Sequence, residues 1–341
     1  MANRKLMFHI GSHKTGTTAI QSVLDKDRDR LASLGIHYPT IPRSFSVNST
    51  AHHGIAHRTA DFERLFRLRL SLYFRRLATQ AKTYDLTLLS SEAVYRHVAT
   101  KPKPRSADEW FASHEAYLVR LASYLRKFEV EIVLYLRNPH DFAVSLFKED
   151  ATKARINPIP PFVKVNELRS THFDYARRIA VIEKVFGSLD VRHYEAEARL
   201  GLVPEFYRRL GVDVPKASDK PVRVSISNLG VLWLCARTGE GNRREHRHRV
   251  HYAASDPDGL FVEETPTTLW PSSEDLMAFV ERHDAAYSTG PFDRPKGLDR
   301  KPTVWTDDAQ RQADVHYQVW RDQNIDMLDT FDKEGGRHYH L

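Results

Sequence analysis

Residues 5 to 21, Lys5-Leu6-Met7-Phe8-His9-Ile10-Gly11-Ser12-His13-Lys14-Thr15-Gly16-Thr17-Thr18-Ala19-Ile20-Gln21, read as a buried strand that runs through a glycine-punctuated turn into a helix. A lysine and three threonines lie inside the turn. Such a turn leaves the backbone N–H groups of Gly16, Thr17 and Thr18 without intrahelical partners at the positive end of the helix dipole, where an anionic ester group satisfies them. Lys14 adds a full positive charge. The stretch therefore predicts a phosphate cradle on an α/β fold.

Spacing separates kinds of cradle. A nucleotide triphosphatase places its lysine after the second glycine and follows it with a hydroxyl that holds magnesium. Here Gly11 and Gly16 keep the glycine spacing, but Lys14 precedes the second glycine and Thr17 stands where that lysine belongs. A second segment, Val130 to Leu136, is a mostly apolar, β-branched run that ends in Arg137-Asn138-Pro139-His140-Asp141-Phe142-Ala143-Val144-Ser145. It carries arginine at a strand end, proline at the first helical position and serine on the early helical turns. A guanidinium grips phosphate through two N–H groups, and the serine hydroxyl donates to the same anion.

Together the two segments resemble the phosphosulfate loop, Lys14-Thr15-Gly16-Thr17-Thr18, and the 3′-phosphate site, Arg137 with Ser145, of the sulfotransferases that use 3′-phosphoadenosine 5′-phosphosulfate (PAPS). The likeness covers residues 5 to 212 and leans toward the bacterial and carbohydrate sulfotransferases. It implies a P-loop-type three-layer α/β sandwich: a central parallel sheet, helices on both faces, and a mostly helical carboxyl-terminal extension. One sulfotransferase domain, 1–341, is then expected, with core 1–212 and a variable part 213–341 completing the acceptor cleft. The implied donor is PAPS with no metal, held by His13, Lys14, Thr15, Gly16, Thr17, Thr18, Arg137 and Ser145. The acceptor is a hydroxyl or amine of a carbohydrate or small metabolite. Glu92, after the strand Asp85 to Leu89, is the candidate base, His13 its rival, and Lys14 the cation that neutralises the leaving phosphate. Alternative readings are a P-loop kinase and a catalytically silent nucleotide- or polyanion-binding module.

Strands are expected at Leu6–Ile10, Leu86–Ser90, Glu131–Leu136 and Asp190–Tyr194, alternating with helices, which argues a parallel sheet. Helix one is expected over Thr17–Leu34, burying Ile20, Val23, Leu24, Leu31 and Leu34, with Gly35 as its stop. A helix over Asp61–Lys82 places Phe62, Leu65, Phe66, Leu70, Tyr73 and Leu77 on a core stripe with arginines opposite. Ser106 to Glu109 has capping-box spacing. Further helices are expected through Ala236, from Ser272 to Tyr287, and over Ala309–Phe331. Asn157 to Pro161 must be a loop.

Net charge is +7 with 18 histidines besides, so the surface attracts anions. The basic run Arg237 to His251 reads as a solvated loop or a lip of the acceptor cleft, and lacks the aromatic interleaving of a single-strand-binding surface, so no nucleic-acid partner is expected. The single Cys235 excludes internal disulfides. No stretch has the apolar length of a membrane span, and the first strand starts too early for a signal peptide, so a cytoplasmic location is expected. His9 reads as a core histidine, and His338-Tyr339-His340 as a tail.

Overall fold

The strand at the head of the quoted stretch, β1 (Lys5–Gly11), is buried from its second residue onward, as a continuous apolar run in a parallel sheet should be. The computed structural model describes residues 4–12, 14–42, 44–45, 51–61, 63–99, 104–153, 157–215 and 226–333. After β1 come α1 (Thr17–Lys26), α2 (Arg28–Ser33), the short β2 (Ile36–His37), α3 (His53–Ala60) and α4 (Arg64–Gln80). Then follow β3 (Leu86–Ser90), a 3₁₀ turn over Glu92–Arg96, α5 (Ala107–Leu125), β4 (Glu129–Leu136), α6 (Pro139–Thr152) and α7 (Phe162–Leu168). Next are α8 (Tyr175–Phe186), β5 (Leu189–His193), α9 (Tyr194–Leu200), α10 (Leu202–Arg209), α11 (Asn228–Ala236) and α12 (Arg243–Ser255). The last four helices are α13 (Ser273–Arg282), α14 (Asp284–Tyr287), α15 (Asp307–Gln323) and α16 (Ile325–Lys333).

The five strands form one sheet of order β2-β3-β1-β4-β5, and every neighbouring pair is parallel. Residues Met7, Leu88, Val133 and Tyr135 from the sheet pack with Ile20, Leu24, Leu31, Phe206 and Tyr207 in the core. The order has a functional consequence. From β1 the chain goes on to a strand on the β3 side of the sheet, whereas from β4 it goes on to β5 on the other side. The connections that leave the adjacent strands β1 and β4 thus run to opposite sides of the sheet, although the strands stay paired to Gly11 and Tyr135, and such a switch point is where open α/β sheets make their ligand crevice.

By packing, the chain divides into two units: Met1–Pro139 with Ser170–Asp219 and His283–Asp293, and His140–Arg169 with Lys220–Arg282 and Arg294–Leu341. The whole sheet belongs to the first. The second is helical, centred on Trp233, whose ring lies 5.5 Å from Phe261 and 5.6 Å from both Tyr252 and Tyr317. Among the described residues no helix is long and apolar enough to cross a membrane.

Several expected elements need correction. The first helix is two, because the backbone leaves the helical region at Asp27 (φ −99°, ψ 11°); the break rotates the apolar stripe, and Leu34 is 46% exposed. The segments from Ser272 and over Ala309–Phe331 also divide, at His283 and Asn324. On α4 the buried positions are Leu70, Phe74, Leu77 and Ala78, so Leu65 faces away from the core and Phe62 lies outside the described residues. The basic run is not a loop: from Arg243 onward it is α12, with Asn242 capping the Glu245 N–H. Its arginine charges are met within the second unit, Arg247 by Asp332 at 3.0 Å and Arg237 by Asp314, and the His248 ring shares a 2.9 Å hydrogen bond with the same Asp332 carboxylate. Cys235 is half-buried, and burial pushes its thiol up to about 12. The His338–His340 tail lies outside the described residues.

Candidate functional site

Among the described residues of the turn after β1, two are left-handed. Gly16 has φ +66° and is the N-cap of α1; a left-handed backbone favours glycine there, and a Cβ would press on the tip of the Leu202 side chain. Lys14 has φ +67° although it carries a side chain, a conformation that costs about 1 kcal/mol and marks a position held against local preference. The turn is tight: Thr15 Oγ1 donates to the Ser12 carbonyl at 2.8 Å, and a Cβ on Gly11 would come within 2.7 Å of that hydroxyl. Among the described residues no side chain caps α1, and its first turn carries no acid, so the positive end of its dipole is not neutralised by its own first turn. Thr17 and Thr18 open that helix, and His13 lies outside the described residues.

At the adjacent strand end, Arg137 turns toward this loop. Its Nη1 donates to the Lys14 carbonyl at 3.0 Å, and its guanidinium carbon stands 5.2 Å from the Tyr194 ring centre. Its own carbonyl accepts from the Tyr175 hydroxyl at 2.8 Å, which fixes the backbone at the end of β4. Arg137 Nε is buried and, among the described residues, without a hydrogen-bond acceptor; the Glu195 carboxylate stands at ion-pair range, 3.5 Å. Both Glu195 oxygens accept from the Asn138 N–H at 3.1 Å. A carboxylate thus rests where the sequence predicts a bound phosphate. Ser145 is half-buried on α6 and belongs to the second unit, whereas Lys14, Arg137, Asn138 and Glu195 all belong to the first.

Glu92 opens the 3₁₀ turn after β3. Gln21 Nε2, on α1, donates to Glu92 Oε2 and to Ser90 Oγ, both at 3.1 Å, tying the carboxylate to the helix that leaves the glycine turn. His53 Nε2 approaches Glu92 Oε1 at 3.5 Å, while its Nδ1 shares a 3.1 Å hydrogen bond with Ser91 Oγ. Neither serine caps the turn. Ser90 Oγ is spent on Gln21 and on His9 Nδ1 at 2.9 Å, and Ser91 Oγ on His53. Glu92 is 16% and His53 21% exposed, so the pair is reachable from solvent.

The remaining histidines nearby are structural. His9 is fully buried against Tyr135 and Phe206, and burial lowers it to about 3. His52 Nε2 donates to the Pro39 carbonyl at 2.9 Å and its Nδ1 accepts from the Ser90 N–H at 3.1 Å; this neutral tautomer agrees with burial lowering it to about 3. Among the described residues no group of three or more His, Cys, Asp or Glu forms a metal cluster.

Sequence reasoning missed Gln21, His53 and Glu195. Gln21 lies four residues after Thr17, on the same helix face, which was a readable signal. Glu195 follows β5 almost directly, at a carboxyl strand end where ligands and their competitors gather. His53 is brought in by a fold contact with no local signature. No family model matches the chain, and no curated protein is significantly similar to it.

Proposed function

We propose that the protein is a PAPS-dependent sulfotransferase of P-loop-type architecture, acting on a hydroxyl or amine of a carbohydrate or small metabolite. The observation that carries the reading is the hydrogen bond from Arg137 Nη1 to the Lys14 carbonyl, 3.0 Å long, which joins the two expected anion seats at the β1/β4 switch point. The residues present suit a bisphosphorylated nucleotide: at one seat a buried guanidinium N–H that, among the described residues, has no hydrogen-bond acceptor and only the Glu195 carboxylate at ion-pair range, and at the other a helix start beside Lys14 that no described side chain caps.

When bound, PAPS supplies the activated sulfuryl group. Lys14 and the Gly16–Thr18 backbone hold the 5′ end, and Arg137 binds the 3′-phosphate. Glu92, oriented by Gln21, accepts the proton of the acceptor hydroxyl as its oxygen bonds to sulfur. The bond from sulfur to the 5′-phosphate oxygen breaks, and Lys14 stabilises the charge that this oxygen gains. Calorimetric titration with the desulfated product 3′-phosphoadenosine 5′-phosphate (PAP) and with ATP, each with and without magnesium, tests the reading. Tight, magnesium-independent binding of PAP is expected; preference for ATP with magnesium would support a kinase instead.

A further inference from the structure

Helix α4 shows solvent a face that a water-exposed helix has no reason to carry. Leu65, Leu68 and Leu72 are 55%, 57% and 44% exposed, at i, i+3 and i+7 along Arg64–Gln80. The buried side, Leu70, Phe74, Leu77 and Ala78, lies on the opposite flank. At 100° per residue the three leucines fall within about 60° of arc, centred directly away from the core. Arg64 and Arg75 lie on one shoulder of this crest and Arg69 and Arg76 on the other, all four exposed. The 17-residue helix contains no acidic residue. Among the described residues none of these arginines is in an ion pair with an acid of the chain.

From this crest and its shoulders we propose that α4 is a docking surface for an anionic lipid bilayer, the leucines entering between headgroups and the arginines meeting phosphates and carboxylates on both sides. This does not depend on the nucleotide reading. A second copy of the chain is the poorer occupant, because two such helices face to face would oppose arginine to arginine without one compensating acid. Nucleic acid would satisfy the cations and leave the leucines in water. A convex crest with cations at equal height on both shoulders suits a plane that is apolar inside and anionic at its surface, as interfacial amphipathic helices do. Each arginine near an anionic leaflet is worth about fivefold in partitioning.

Co-sedimentation of the full chain with vesicles tests this, using phosphatidylcholine alone and phosphatidylcholine with about one-third phosphatidylserine. Partitioning is expected to be at least about tenfold stronger to the anionic vesicles and to weaken with salt. The Leu68→Glu/Leu72→Glu variant should lose at least about tenfold, and Arg75→Gln/Arg76→Gln should lose binding together with part of the salt dependence. All four positions are exposed, so unchanged circular dichroism and melting identify folded variants. Absence of wild-type binding overturns the proposal. So does leucine-variant binding equal to wild type, which would indicate plain polyanion attraction, or a wild-type dimer in ultracentrifugation that the leucine variant dissolves.

Discussion

Replacing Glu195 by glutamine should tighten, not weaken, the binding of PAP. The Glu195 carboxylate sits 3.1 Å from the Asn138 N–H and 3.5 Å from Arg137 Nε, the groups that a 3′-phosphate would use. If carboxylate and phosphate stayed together at about 5 Å, with an effective dielectric near 20, each pair of unit charges would repel by about 3 kcal/mol. Moving the carboxylate out instead costs one hydrogen bond and one partly exposed ion pair, about 2 kcal/mol in all. Displacement is the cheaper route, and wild-type affinity is reduced by that amount. The glutamine of Glu195→Gln would keep an acceptor for Asn138 but no charge, leaving about 1 kcal/mol to lose instead of about 2, so PAP should bind about fivefold more tightly. Isothermal titration at neutral pH measures this directly, and adenosine 5′-phosphate, which lacks the 3′ group, should show no gain. Unchanged or weaker PAP binding would refute the reasoning and make Glu195 a support that holds Arg137 in place. An equal gain for both nucleotides would show a diffuse charge effect in place of competition for one seat.

Other outcomes follow from the same geometry. Gly16→Ala combines a left-handed backbone with a Cβ against the tip of the Leu202 side chain, which can turn aside, so urea unfolding should show a loss of about 1–2 kcal/mol; a neutral result would mean that the turn is looser than its φ of +66° implies. Lys14→Gly should raise stability by up to about 1 kcal/mol by relieving φ +67°, while turnover falls more than PAP affinity; a pure binding defect would contradict the role given to the lysine charge. Stability should fall as pH drops from about 6.5 toward 4. Burial holds His9, His52 and His114 near 3 in the folded chain, while their unfolded counterparts take up protons near 6.5. Each such histidine therefore removes about 1.4 kcal/mol per pH unit across that window, and a melting temperature constant from pH 7.5 to 5 would contradict their neutral burial.

The strands were legible because continuous apolar runs bounded by glycine or charge have few alternatives in an α/β chain; β3 is found at Leu86–Ser90 as expected, and β4 and β5 differ by two residues or fewer at their ends. β2 was not readable: two residues, Ile36 and His37, carry no period, and pairing with Leu86 and Thr87 alone makes them a strand. Helix breaks at Asp27, His283 and Asn324 were missed because none is a glycine or a proline. The basic run misled for a related reason. Arg243 to Arg249 looks like a solvated loop until the acids that neutralise it arrive from α16, more than eighty residues away. Of the residues gathered at the candidate site, Lys14, Gly16, Glu92 and Arg137 could be named from the sequence, because each lies at or just after the end of an apolar strand. It could not supply His53 or Glu195, whose positions depend on how α3 and α9 return to the sheet.

Whether the residue at the end of β4 reads a 3′-phosphate is decided by a thermodynamic cycle: PAP and adenosine 5′-phosphate titrated into the wild-type chain and into Arg137→Ala. The account predicts that PAP binds wild type more tightly by about 2 kcal/mol, roughly thirtyfold, and that this advantage vanishes in the variant while adenosine 5′-phosphate is little affected. An advantage for PAP that survives the loss of Arg137, or is absent from the wild type, would contradict it.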